Sequence, residues 1–233
     1  MKKHGGGAYA GLALVAVLVL AAGAAQAGTI IVGDPLIPAG LGLGNTFHLM
    51  FVTSTTRDAT STIIADYNSF VAAAAELPGS LVQGKGWTWN AIGSTATVNA
   101  VNNAPASAQV YRVDGKLVSS PGFFLYGTGD YILANPPNKT QANSTRDVQV
   151  WTGTERNGIG NPARVLGVTT TVRYGTSNNG WGGQWLETNN LAPTGLKSMY
   201  ALSELLTITP EPATMALMAL GGIGLLLGRK RRK

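Results

Sequence analysis

The hydrophobic pattern changes character three times along the chain. Met1-Lys2-Lys3-His4 opens a Gly/Ala/Leu/Val-rich stretch whose apolar run extends from about Leu12 to Leu20, and residues 213–228 form a second uncharged, apolar stretch. Between them, apolar and polar positions trade places in short blocks. Ile63, Ile64, Tyr67, Phe70, Val71 and Ala74 recur with the 3.6-residue period of one helix face. Ser61 or Thr62 can cap that helix and Pro78-Gly79 can end it, which predicts a helix over about 62–77. Elsewhere the blocks are β-prone. Strands are expected at Phe47–Thr53, around Trp87–Ile92 and Thr97-Val98, at Val110–Val113 and Lys116–Val118, at Val148–Trp151, at Val168–Tyr174 and at Met199–Thr209. Asp114-Gly115 between two β-prone runs predicts a hairpin with a type I′ turn. In Val168–Tyr174, the residues Val168, Thr170, Val172 and Tyr174 share one face, and the last strand stops at Pro210. Gly28–Gly44, Ala134–Asp147, Glu155–Pro162 and Thr176–Pro193 read as loops. The fold class expected is α+β, rich in strands and loops, with one main helix in a single domain over residues 28–209.

Composition narrows the chemistry. With 31 Gly in 233 residues and only 12% charged side chains, a helical bundle is disfavoured. The chain has no Cys, which removes disulfides, thiolate metal sites, Cys nucleophiles and iron–sulfur clusters. The net charge of +6 is misleading as a global figure. Residues 28–209 hold ten basic and ten acidic side chains, so the excess comes from Lys2 and Lys3 and from Arg229, Lys230, Arg231, Arg232 and Lys233, less the one charge of Glu211. A nucleic-acid binder needs a basic face on its folded body to displace counterions. This body has no surplus, so the charge points to membranes and no nucleic-acid partner is expected.

The ends carry targeting chemistry. A short positive region, an apolar run and small residues Ala25 and Ala27 at positions −3 and −1 make a secretory signal peptide over 1–27, with signal peptidase expected to cut before Gly28. At the other end, Pro210-Glu211-Pro212 precedes the apolar residues 213–228 and the basic tail 229–233. Sixteen residues rise about 24 Å as a helix, short of the ~30 Å hydrocarbon core. Snorkelling Arg and Lys can thin the bilayer enough for a marginal span. Basic flanks stay cytoplasmic, which puts residues 28–209 outside. Gly221, Gly222 and Gly224 weaken the helix in mid-span, as a transient tether would tolerate. The tripeptide, Gly-interrupted helix and basic tail together resemble the PEP-CTERM sorting signal. That resemblance implies a Gram-negative bacterium and an exosortase-like membrane protease that recognises the tail. It also implies that the protein is cut near the motif and sent to the cell surface or extracellular matrix, after a transient stay in the inner membrane.

The body resembles a second group. Asp66-Tyr67-Asn68, Trp87 to Thr95, Val110-Tyr111, Asp114-Gly115, Val150 to Thr154 and Leu202-Ser203 occur in the order found in endostatin-like, C-type-lectin-like bacterial surface domains. The resemblance implies a small twisted sheet with one or two helices and long loops, and no particular ligand, because the sugar and calcium motif of that group is missing. A β-sandwich with a peripheral helix is the alternative.

Tests for catalysis and cofactors give little. His48, the one His beyond the signal segment, lies inside the Phe47–Thr53 run and reads as a strand residue rather than a base. No Gly-x-Ser-x-Gly elbow occurs. Acids that could pair for glycoside hydrolysis are Asp34, Asp58, Asp66, Glu76, Asp114, Asp130, Asp147, Glu155, Glu187 and Glu204, without a spacing signature. Asn143, Ser144, Asp147, Glu155 and Asn157 are a loose oxygen set for calcium, better read as solvated loop residues. Gly42-x-Gly44 and Gly158-x-Gly160 are incomplete nucleotide fingerprints. Asn138-Lys139-Thr140 and Asn143-Ser144-Thr145 fit the glycosylation acceptor pattern. Trp181 and Trp185, in Gly180-Trp181-Gly182-Gly183-Gln184-Trp185, are candidate ligand contacts, with core packing as the rival reading. The reading is a non-catalytic exported ectodomain with no cofactor and no metal. Exopolysaccharide or surface proteins are its candidate partners; an exported hydrolase is the remaining alternative.

Overall fold

Ten strands and two helices follow in order in a computed structural model that describes residues 28–119 and 132–211. They are β1 (Gly28–Ile31), β2 (Thr46–Val52), α1 (Ile64–Ala75), β3 (Trp89–Ala91), α2 (Ala100–Asn103), β4 (Val110–Arg112), β5 (Leu117–Ser119), β6 (Gln149–Trp151), β7 (Val172–Thr176), β8 (Asn189–Leu191), β9 (Ser198–Ser203) and β10 (Leu206–Thr209). The strand-rich class with one main helix agrees with expectation. The signal segment 1–27, Pro212, the apolar stretch 213–228, the tail 229–233 and Asp130 lie outside the described residues. Among the described residues, no helix is long and apolar enough to cross a membrane.

The strands join in one mixed sheet in the order β1-β10-β2-β9-β6-β7-β8, with β3 on β9, β4 on β2 and β5 on β4. This is one hydrogen-bonded sheet, not the two facing sheets of a sandwich. Strand β2, the longest, lies inside it with β10, β9 and β4 as partners, and Phe47 through Val52 are all buried. Its two faces meet different apolar clusters. Phe47, Leu49 and Phe51 pack with Tyr67, Val71 and Ala74 of α1. Met50 and Val52 pack with Ile92, Ala100, Val110, Trp185 and Tyr200. Helix α1 covers one face and α2 and loop segments cover the other, so both faces of a strand become interior.

Helix α1 starts two residues later than the pattern predicts. Its cap position is Ile63, 58% exposed, with no side-chain cap bond. Ser61 instead accepts the Ile63 N–H (3.1 Å) and donates to Asp66 Oδ2 (2.6 Å), so the serine closes a turn ahead of the helix. Gly79, at φ +81°, follows the helix as the Pro-Gly signal requires.

Several expected elements are corrected. The hairpin forms, but only Gly115 of its turn has positive φ, so it is not type I′. Gly115 N–H donates to Arg112 O and Arg112 N–H to Lys116 O, both 2.9 Å. These two bonds and the positive φ of Gly115 are the arrangement of a three-residue loop closed by a glycine bulge, and a separate register shift lies farther along the hairpin, between Val110 and Tyr111. Thr97-Val98 forms no strand; the chain turns there into α2. Only the second half of Val168–Tyr174 pairs, as β7. Two segments read as loops contribute edge strands: Gly28–Ile31 pairs parallel with β10, and Asn189–Leu191 pairs antiparallel with β7. Asn189–Leu191 has little strand propensity and depends on its partner, whereas Thr29-Ile30-Ile31 is β-branched but is followed directly by a Gly/Pro-rich stretch.

Met199–Thr209, expected as one strand, runs antiparallel along β2 with a break. Pairing at Met50↔Leu202 becomes Phe47↔Leu206, one residue out of register, so β9 and β10 are separated by a bulge. Ser203 holds it: its hydroxyl accepts the Leu49 N–H (2.9 Å) and donates to Glu204 O (2.7 Å).

Candidate functional site

Strand β10 connects the sheet to the expected processing signals. Gly28, the residue expected to begin the mature chain, pairs with Leu206, and Ile31 pairs with Thr209. The Val32 N–H donates to Thr209 O (3.0 Å), the last rung of this ladder. Pro210 follows directly. A proline has no N–H to offer a ladder, so the strand cannot continue through it. Pro210 is half-buried and Glu211 is exposed. The first two residues of the tripeptide therefore leave the sheet. Ala25, Ala27, Pro212 and residues 229–233 fall outside the described residues.

The two candidate tryptophans part company. Trp181 is 69% exposed. Trp185 is buried, with its ring 5.4 Å from that of Tyr200 at 63°. Burial removes Trp185 from ligand contact and makes it core. The cause is local: Gly175 lets the Trp185 backbone cross directly over β7, because a Cβ there would lie 1.8 Å from Trp185 O.

His48 is buried and fully engaged. Its Nδ1 lies 2.9 Å from Ser203 O, across from the bulge, and so carries the proton. Nε2 is then the acceptor; the Ser107 N–H reaches it at 3.2 Å and the Ser107 hydroxyl lies 3.3 Å away. Ser107 is exposed and the pair resembles a serine–histidine dyad that sequence spacing could not show. The Nε2 lone pair is already shared with a backbone N–H, however, and the group on Nδ1 is a carbonyl, not a carboxylate. Burial pulls the imidazole below its ordinary pKa, against the raising effect of the Ser203 and Glu204 backbone. His48 is a neutral strut that fastens β2 to the bulge.

The other sequence candidates do not assemble. Among the described residues no three His, Cys, Asp or Glu side chains converge as a metal site. From the loose calcium set, Asp147 accepts from Asn138 (3.0 Å), whereas Glu155 accepts from Asn161 (3.1 Å). Asp34 pairs with Lys85, Asp58 takes the Thr60 N–H, Glu76 takes the Gly84 N–H and Glu204 the Thr88 N–H. Asp114 is bound to Arg112 through both oxygens, at 3.0 and 2.5 Å. Asn138 is engaged by Arg112 and Asp147, whereas Asn143 is exposed at φ +61°.

One polar cleft of about 540 Å³ was not legible in the sequence. Arg156, Arg173, Gln184, Glu187, Asn189 and Asn190 line it, with Gly182 at its margin. They come from the loop after Thr154, from β7 and β8, and from the loop between those strands. Glu187 is held from two sides: Arg173 Nη1 bonds its Oε1, and the Arg156 N–H reaches its Oε2 at 3.0 Å. Arg173 also lies 3.9 Å from Glu155. Arg173 and Asn190 are cross-strand partners, and each leaves one buried atom, Nε and Oδ1, without a hydrogen bond.

No curated protein matches the chain. The comparisons bring no support for the lectin-like resemblance of the body. Residues 209–232 match the PEP-CTERM protein-sorting motif, so the chain that leaves the sheet at Pro210 runs straight into a signal that directs an exported protein to exosortase processing at the cell envelope.

Proposed function

We propose that this chain is a surface or extracellular-matrix protein whose ectodomain, residues 28–209, works without catalysis. Signal peptidase removes residues 1–27, the apolar stretch 213–228 tethers the protein briefly in the inner membrane, and an exosortase-like protease cuts near Pro210-Glu211-Pro212. The observation that carries the reading is the position of the sorting motif: its match begins at residue 209, where β10 ends. A protease acting on extended backbone needs chain that is not hydrogen-bonded into a sheet. The proline at 210 supplies that release one residue beyond the last rung.

The test is a tag within the ectodomain, followed by fractionation of cells with and without the sorting protease. The expected result is a shortened product at the surface or in the medium when the protease is present. Without it, the longer form is expected in the inner membrane. An unchanged full-length product in the inner membrane in both strains would refute the proposal.

A further inference from the structure

The polar cleft and the exposed indole beside it combine three features. The first is balanced charge. Arg156 and Arg173 face Glu187, and Glu155 approaches Arg173 from behind, so the cleft has no surplus charge to attract an anion. The second is lining chemistry. Gln184, Asn189 and Asn190 present flat amides beside two guanidinium groups and a carboxylate, a mixture of donors and acceptors suited to neighbouring hydroxyls. Its volume of about 540 Å³ lies in the range of small-ligand sites, roughly 300–1,000 Å³. The third is Trp181. An indole is ordinarily buried, yet this one is 69% exposed on a loop that is itself fastened. Asn179 Oδ1 accepts the Trp181 N–H at 2.8 Å, and the Gln184 N–H donates to Trp181 O at 3.0 Å. Gly183 then lies against Arg156, where a Cβ would come within 2.6 Å of the Arg156 Cβ. The loop thus holds an exposed aromatic face one residue from the cleft margin.

We propose that this cleft, with Trp181 as a stacking platform at its rim, binds a neutral saccharide. The C–H face of a pyranose packs on the indole, and its vicinal hydroxyls bond to the amides and to Arg173. The inference rests on the surface reading only for where the sugar is met; binding itself is independent of tail cleavage.

The experiment uses the full chain in a detergent without a sugar headgroup. Binding is titrated by calorimetry and by Trp fluorescence against a neutral glucan, mannan and galactan, with alginate as the anionic comparison. At least one neutral polymer is expected to bind, and alginate is not. Trp181→Ala and Asn189→Ala are each expected to weaken that binding at least tenfold, with the urea midpoint of Trp181→Ala unchanged. Absence of binding to every neutral polymer, binding of alginate alone, or binding that Trp181→Ala leaves intact would each overturn the proposal. Failure of processing in the fractionation experiment would not affect these readings, so the two proposals fail separately.

Discussion

Gly175→Ala should be the most damaging small substitution in the sheet. Gly175 lies in β7 opposite Val150 of β6. A methyl group there would meet Trp185 O at 1.8 Å, Trp185 C at 2.3 Å and Leu186 N at 2.8 Å. All three are backbone atoms, so no rotamer change relieves the overlap. The contact must open beyond 3.0 Å, which lifts the segment carrying Trp185 and Leu186 off the sheet. Both side chains are buried, at 2% and 0% exposure. A buried Trp contributes about 150–250 Å², or roughly 4–6 kcal/mol at ~25 cal/mol per Å². A Leu adds roughly 2 kcal/mol. Losing about half of this on a partial retreat costs on the order of 3–4 kcal/mol, at or above the upper end for overpacking. Gly182→Ala is the control. Nothing lies within 4 Å of its added methyl, but its φ of +59° is unfavourable for alanine, so it should cost only about 1 kcal/mol. Urea unfolding of the exported protein, followed by Trp fluorescence, separates the two. Equal losses, or a loss below about 1 kcal/mol for Gly175→Ala, would refute the steric account.

Three other outcomes follow from buried polar groups. Because burial lowers the His48 pKa below its ordinary 6.5, the unfolded chain binds the extra proton first as pH falls. Stability should hold above about pH 6.5 and decline below it, until the folded-state pKa is passed, with a limiting slope of about 1.4 kcal/mol per pH unit; a urea midpoint that stays flat between pH 7 and 5 would refute this. Arg112→Ala removes a buried cation bonded to Asp114, Pro136 O (3.0 Å) and Asn138 Oδ1 (2.9 Å), and should cost about 3–5 kcal/mol by thermal unfolding. Tyr200→Phe deletes a buried hydroxyl that has no hydrogen-bond partner while keeping the ring against Trp185. It should leave the melting temperature unchanged or raise it, since an unsatisfied buried group costs about 1–3 kcal/mol; a clear drop would mean that the hydroxyl has a partner.

Local chemistry was legible where one residue type has one dominant use. The 3.6-period face gave α1, with Tyr67, Val71 and Ala74 buried as the spacing requires. Asp114-Gly115 placed the hairpin, and Pro210 ended the last strand because a proline offers no N–H. Elements whose existence depends on a distant partner were not legible. Asn189–Leu191 looks like a loop until β7 supplies the other half of its ladder, and the parallel place of the β-branched Thr29-Ile30-Ile31, masked by the Gly/Pro-rich stretch after it, is set by β10. The bulge between β9 and β10 leaves no mark in the sequence, since it is fixed by Ser203 and His48 across 155 residues.

The sorting tail is legible because its function is read from chain chemistry alone: a tripeptide, an apolar stretch and a run of cations work as linear signals. The neutral balance of the body follows likewise from counting charges. Which tryptophan is core and which is exposed is different. Trp181 and Trp185 share one glycine-rich segment, and only the close crossing at Gly175 buries one of them while the other stands clear. The cleft is decided the same way, because Arg156, Arg173 and Asn190 come from separate segments that only strand pairing and loop packing bring to one wall.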